Sequence, residues 1–130
     1  MFDIPGKPIS KSRPRFARCG KFVKTYNPQE SEEGKFICLM QSVIKGHRPI
    51  PAGIPIYLKV YFYMPIPASM PKKQRKAGLP HTKKPDLDNL LKFFKDCANG
   101  VLWHDDSQVV YISAHKFYSA EPSTQIKMEW

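Results

Sequence analysis

The stretch from Ile54 to Met64 sets the strongest limit on the fold. Ile56, Leu58, Val60, Phe62 and Met64 alternate with Tyr57, Lys59, Tyr61 and Tyr63. A period of two puts the aliphatic set on one face of a strand and the tyrosine-rich set on the other. The aliphatic face must be covered, and helical patterns elsewhere in the chain supply the cover. The tyrosine face has three readings. It is an amphipathic outer sheet surface, the ordinary outcome, or a platform for unpaired bases, or a subunit contact.

Two segments read as helices. Asn27-Pro28-Gln29-Glu30 is a start signal, with Asn as cap, Pro at the first helical position and Glu three residues after the cap. Phe36, Leu39, Met40 and Val43 form the apolar stripe of this helix, and Gly46 ends it. Glu32 and Glu33 suit the positive N-terminal end of its dipole, and Lys45 suits the other end. The second helix is expected over Asn89 to Asn99, where Leu90, Leu91, Phe94, Cys97 and Ala98 fall at helical spacing and Asn99-Gly100 is a stop. Met1 to Ile4 reads as a short strand and Arg15 to Thr25 as a hairpin turning at Cys19-Gly20. Gln108 to Tyr118 is a strand, and Thr124, Ile126, Met128 and Trp130 alternate along a last one. The order β, hairpin, α, β, α, β, β gives the α+β class: a mixed or antiparallel sheet with two main helices packed on one face. Residues 1–130 form a single domain.

Charge narrows the partner. The chain has 21 Lys and Arg against 11 Asp and Glu, a formal net charge of +10, which favours a polyanion. Lys7, Lys11, Arg13, Arg15, Arg18, Lys21 and Lys24 follow one another with no acid among them. They read as a phosphate-contacting arm, against the plainer alternative of a solvated hairpin. Pro65 to Pro85 is rich in proline and contains no acid, and reads as a mobile basic surface loop. Its Lys72, Lys73, Arg75 and Lys76, with Lys83 and Lys84, are candidate phosphate contacts, whereas His81 reads as a surface residue. No apolar run is long enough to cross a membrane, and no secretory signal pattern is present. Cys19, Cys38 and Cys97 are odd in number and lack metal spacing, so a reduced, cytoplasmic protein is expected.

The chemistry sits in two short acidic motifs. In Lys83-Lys84-Pro85-Asp86-Leu87-Asp88-Asn89-Leu90-Leu91-Lys92, two carboxylates stand two residues apart at the entry of the second helix. If Asp86 to Asp88 is extended, both carboxylates share one side of the backbone, with Asp88 as the helix cap and Lys92 one turn on. Trp103-His104-Asp105-Asp106-Ser107-Gln108 follows after a short connection, so Asp105 or Asp106 can fold back beside Asp86 and Asp88. Taken singly, each motif is explained by capping and turn chemistry. Taken together, they put clustered carboxylates inside a strongly cationic chain, where they would repel a phosphate unless a cation sat among them. Hard oxygen ligands collect Mg²⁺ or Mn²⁺, and a neighbouring lysine offsets charge growing on a phosphodiester.

Asp86-Leu87-Asp88-Asn89-Leu90-x-Lys92, followed by Trp103-x-Asp105-Asp106-x-Gln108-Val109, resembles the RusA family of Holliday-junction resolvases. The two motifs span about residues 84 to 110, and outside them the resemblance is one of layout. The longer, proline- and lysine-rich loop and His104, where an apolar residue is expected, depart from the pattern. The resemblance implies a small, homodimeric, Mg²⁺-dependent endodeoxyribonuclease, bacterial or phage-encoded, with Mn²⁺ as an alternative ion. It acts on branched DNA, resolving four-way junctions by paired symmetric nicks in recombination and repair and leaving 5′-phosphate ends. By motif, Asp86, Asp88 and Asp106 would hold the metal, Asp105 would be an outer or alternate ligand, and Lys92 would be the lysine at the catalytic site. Two rivals remain at this level: a nuclease acting on flaps or forks, and a non-catalytic DNA-binding protein of the same fold.

Overall fold

The computed structural model describes residues 1–12, 15–19, 22–26, 30–72 and 78–130, with only the backbone described over 15–19 and 22–26. Among the described residues, the regular elements follow the expected order: β1 (Phe2–Pro5), β2 (Arg15–Cys19), β3 (Phe22–Tyr26), α1 (Glu30–Val43), β4 (Ile56–Pro65), α2 (Leu87–Ala98), β5 (Val109–Ser119) and β6 (Ser123–Glu129). β2 and β3 form the hairpin, with Cys19 opposite Phe22, and the two residues between them lie outside the described set, as does the Asn27–Gln29 start signal.

The main sheet has the order β1-β6-β4-β5. β4 runs parallel to β5 and antiparallel to β6, and β6 runs antiparallel to β1, so the sheet is mixed. The parallel pair determines where α2 goes. Two parallel neighbours need a crossover between them, and α2 lies in the crossover from β4 to β5.

The alternation along β4 has the predicted consequence. Ile56, Leu58, Val60, Phe62 and Met64 are buried and join one core with Phe36 and Met40 of α1 and Leu90, Phe93, Phe94, Cys97 and Ala98 of α2. Phe36 meets Phe93 edge-on at 5.5 Å, and Phe94 meets Trp103 at 6.4 Å, the geometry that aromatic quadrupoles favour. The opposite face carries rings paired with their neighbours: Tyr61 stacks on His115 at 5.0 Å, and His115 on Phe117 at 5.9 Å. Among the described residues no helix covers that face.

Three local expectations change. In α1, Leu39 is 42% exposed, and the buried stripe runs through Phe36 and Met40 to Ile44 just past the helix. In α2, Phe93 is buried and Leu91 only half-buried, because positions 90, 93, 94, 97 and 98 share one helix face; the helix also begins at Leu87, two residues earlier than expected. That earlier start also moves Asp88 from the cap into the first turn, and Asp86 takes the cap position.

The basic segment after β4 is tied down on its return. Gly78 N–H donates to the Tyr118 carbonyl, Tyr118 N–H to Leu79, and His81 N–H to Lys116, at 2.8 to 3.0 Å. The limb therefore runs antiparallel beside β5, with a bridge between Pro80 and Phe117. No helix among the described residues is long and apolar enough to cross a membrane.

Candidate active site

The entry of α2 is built by a lysine that the strand pattern hides. Lys116 sits on β5 opposite Phe62, an inward position. Its Nζ donates to the carbonyls of Lys83 and Pro85, each at 2.7 Å. Two charge-assisted bonds thus hold the backbone immediately before Asp86. Asp86 has extended dihedrals (φ −69°, ψ 147°), and its carboxylate makes no capping bond. It is exposed, and among the described residues it has no side-chain partner. Asp88 lies in the first turn, where a negative charge suits the helix dipole.

The second motif folds on its own terms. Asp105 caps a single turn over Asp106–Gln108: its carboxylate accepts from the Ser107 N–H and hydroxyl, and Gln108 Oε1 accepts the Asp105 N–H at 2.8 Å. Those Ser107 bonds hold the Asp105 carboxyl below the ordinary carboxylate range. Asp105 is thus committed to the turn. Gln108 is buried, and its amide nitrogen donates to the carbonyls of Pro51 and Ile54 at 2.7 and 3.1 Å, fixing the turn to the loop before β4. Asp106 is the acid aimed elsewhere. It accepts the indole N–H of the fully buried Trp103 at 2.7 Å, so the core itself orients this carboxylate.

These placements converge. Asp88, Leu91, Lys92, Lys95, Asp96 and Asp106 line one open cleft of about 240 Å³. The two motifs therefore do meet, through Asp88, Lys92 and Asp106. Asp86 stands at the helix cap and does not line the cleft. Among the described residues no three His, Cys, Asp or Glu side chains stand close enough together to hold an ion between them. A two-carboxylate arrangement still suits Mg²⁺, which keeps several waters and takes one or two carboxylates beside substrate phosphates. His104 is exposed and does not line the cleft.

The candidate DNA contacts divide. Lys7 lines a neighbouring cleft of about 470 Å³ with Ser10, Glu32 and Pro85. Lys72, Lys83 and Lys84 are exposed. Arg15 and Arg18 lie on β2, and Arg13, Lys21, Lys73, Arg75 and Lys76 lie outside the described residues. Lys11 is engaged internally, with Nζ 2.9 Å from Glu33 and 3.0 Å from Asp96. Burial works against its ammonium, but the bonds to both carboxylates outweigh that and hold its pKa above the ordinary lysine value.

Lys95, Asp96 and Lys116 escaped sequence reasoning, and Trp103 was read only as part of a motif, with no role. Trp103 carried a signal, standing three residues before Asp106 so that one turn brings them together. Lys95 and Asp96 also carried one, since positions seven and eight after Asp88 return to the same helix face. Lys116 was legible only as a charged residue in an inward strand position.

The model of the endodeoxyribonuclease RusA family matches residues 5–129 of the chain. The chain belongs to the RusA family. It is also 37% identical over 131 residues to the uncharacterized protein YqaN of Bacillus subtilis strain 168, a match that covers 96% of this chain and 92% of that protein. RusA membership assigns the chain to a family of nucleases that generally use a divalent metal and are associated with branched DNA. The RusA match runs from the last residue of β1 to the end of β6, so it covers both walls of the cleft.

Proposed function

We propose that the chain is a Mg²⁺-dependent, structure-specific endonuclease that resolves four-way DNA junctions, with Asp86, Asp88, Asp106 and Lys92 at its reaction centre. The observation that supports this reading is the meeting of Asp88, Lys92 and Asp106 on one cleft, in a chain of net charge +10. Asp88 and Asp106 would hold the divalent ion, with Asp86, whose carboxylate is free of capping duty, turning in as a third ligand. The bound ion would supply charge neutralisation at the phosphate and an acidified water.

The side chains do the rest. The Trp103 indole N–H fixes one Asp106 oxygen and leaves the other for ligation. Lys92 presents an ammonium one turn from Asp88, where negative charge on the phosphoryl oxygens grows during attack. Water adds to phosphorus, the bond to the 3′ oxygen breaks, and that oxygen takes up a proton, leaving a 5′-phosphate and a 3′-hydroxyl. A four-way junction has two-fold symmetry, so paired nicks require two such sites, and a homodimer meets that requirement.

The test is a divalent-cation titration with three substrates: a four-way junction, a flap and a linear duplex. Paired nicks in the junction alone, dependent on Mg²⁺ or Mn²⁺, are expected. Preference for the flap would replace the substrate assignment, and no nicking of any DNA would leave a binding protein. Asp88→Asn or Asp106→Asn should lower cleavage by about 10²-fold or more, the order of losing one electrostatic partner of a transition state, while junction binding is kept or tightened. Retained cleavage in Asp88→Asn sinks the site.

A further inference from the structure

Lys11 belongs by sequence to the basic arm, yet its ammonium is already committed. Its Nζ donates to Glu33 Oε1 at 2.9 Å and lies 3.0 Å from Asp96 Oδ2. Its backbone N–H donates to the Asn89 carbonyl at 3.0 Å, on the first turns of α2. The Lys11 side chain is 20% exposed, whereas that of Asp96 is 40% exposed and lines the catalytic cleft. One cation thus joins the N-terminal segment, α1 and α2.

The helix geometry gives that bridge a consequence. Residues four apart on a helix are neighbours. Lys92 therefore has an acid one turn before it, Asp88, and another one turn after it, Asp96. An unengaged Asp96 would be a ready partner for the Lys92 ammonium and would draw it along the helix, away from Asp88. Among the described residues, the ion pair of Asp96 goes to Lys11, and none reaches Lys92.

We propose that Lys11 is a positioning residue that takes up Asp96 and so leaves the Lys92 ammonium free for the substrate phosphate. The inference rests on the reading of Lys92 as the cation at the scissile phosphate. It assigns Lys11 a role different from a phosphate contact or a simple tether. Both of those roles would be indifferent to the removal of Asp96, whereas the positioning role makes Asp96 the cause of the damage when Lys11 is lost.

The experiment compares the unmodified protein with Lys11→Met and with Lys11→Met/Asp96→Asn. The first readout is the side-chain ¹³Cε and ¹⁵Nζ resonance of Lys92, recorded without DNA. It should move in Lys11→Met and return in the double variant. The second is single-turnover cleavage of a four-way junction at saturating protein. The rate should fall about two- to fivefold in Lys11→Met, the order set by an exposed helical ion pair, and recover in the double variant, with junction affinity little changed throughout. A Lys92 resonance that stays put in Lys11→Met, or that does not return in the double variant, overturns the proposal. So does a loss that tracks binding and lowers the salt slope by about one, the mark of a phosphate contact. If Lys11→Met does not fold, Lys11→Gln keeps a donor toward Glu33 without the charge, and the same spectra decide. Failure of the underlying reading looks different: Lys92→Met then cleaves like the unmodified protein, while the Lys92 spectra still report whether Lys11 holds Asp96 away.

Discussion

At the scale of single residues, the site depends on a bond between the core and the surface. Trp103 is fully buried, and its indole N–H meets Asp106 at 2.7 Å. A buried indole needs an acceptor, and a carboxylate bound to it loses rotational freedom, so the same contact satisfies the core and aims the acid. Trp103→Phe keeps an aromatic ring and removes the donor. It should cost about 1–3 kcal/mol in denaturant melts, the order of a lost hydrogen bond plus a small cavity. Cleavage should fall while the protein is still fully folded, because Asp106 is then free to rotate. Unchanged single-turnover rates would show that Asp106 needs no such support. The thiols give a second check. Burial pushes the Cys97 thiol up to about 12, with the Glu33 charge adding to it, whereas Cys38 is exposed. Since the thiolate is the reactive form, a thiol reagent at pH 8 should modify Cys38 in the native protein and reach Cys97 only after unfolding. Peptide mapping by mass spectrometry reads both, and early labelling at Cys97 would contradict the packing of α2.

At the scale of elements, the limb from Gly78 to Pro85 connects the basic segment to α2, which carries Asp88 and Lys92. Backbone bonds to β5 hold its first half, and the Lys116 ammonium holds its second. His81 lies between them, packed on the Tyr118 ring at 4.7 Å, with a buried Nδ1 that has no partner among the described residues. Burial, and then the Lys116 charge, lower its pKa below the ordinary histidine value. The sign follows directly. The unfolded chain takes up a proton on His81 at higher pH than the folded one, so stability is present above about pH 6.5 and is lost as pH falls toward the lowered folded value. His81→Phe should therefore flatten the fall in melting temperature between about pH 7 and 5. An identical pH profile would remove His81 from the account. Much at this scale was legible beforehand. Alternation along β4 showed which face is buried, and the apolar spacing after Asn89 gave α2. What was not legible depends on distant partners. The start of α2 at Leu87 follows from backbone held by Lys116, which no local pattern encodes. By local chemistry Asp105 and Asp106 look alike, and before the structure only the family resemblance told them apart; the capping bonds to Ser107 and Gln108 commit Asp105 to the turn and leave Asp106 on the cleft.

At the scale of the whole molecule, the question is how a polyanion approaches a site whose own charge is negative. Asp88, Asp96 and Asp106 line the cleft, and the chain around them is strongly cationic. Not every cation is available for binding. Lys11 is held by Glu33 and Asp96, and Lys116 by two carbonyls, so neither should contribute to counterion release in a DNA complex. The exposed Lys72, Lys83 and Lys84, and the basic arm, remain. With roughly 6–10 phosphate contacts in a complex, junction affinity should fall by about 10³–10⁵ between 50 and 200 mM salt. Lys83→Ala and Lys84→Ala should each reduce the slope of log K against log salt by about one, and leave the preference for junction over duplex as it was, because a phosphate contact carries no shape or base information. The acids predict the opposite sign. On the proposed reading they would repel the scissile phosphate when no divalent ion is present, so Asp88→Asn should bind the junction more tightly than the unmodified protein in EDTA, and the gap should narrow as Mg²⁺ is added. Equal affinities in EDTA would place Asp88 away from the bound backbone, and the cleft would then have to be assigned to something other than the scissile phosphate.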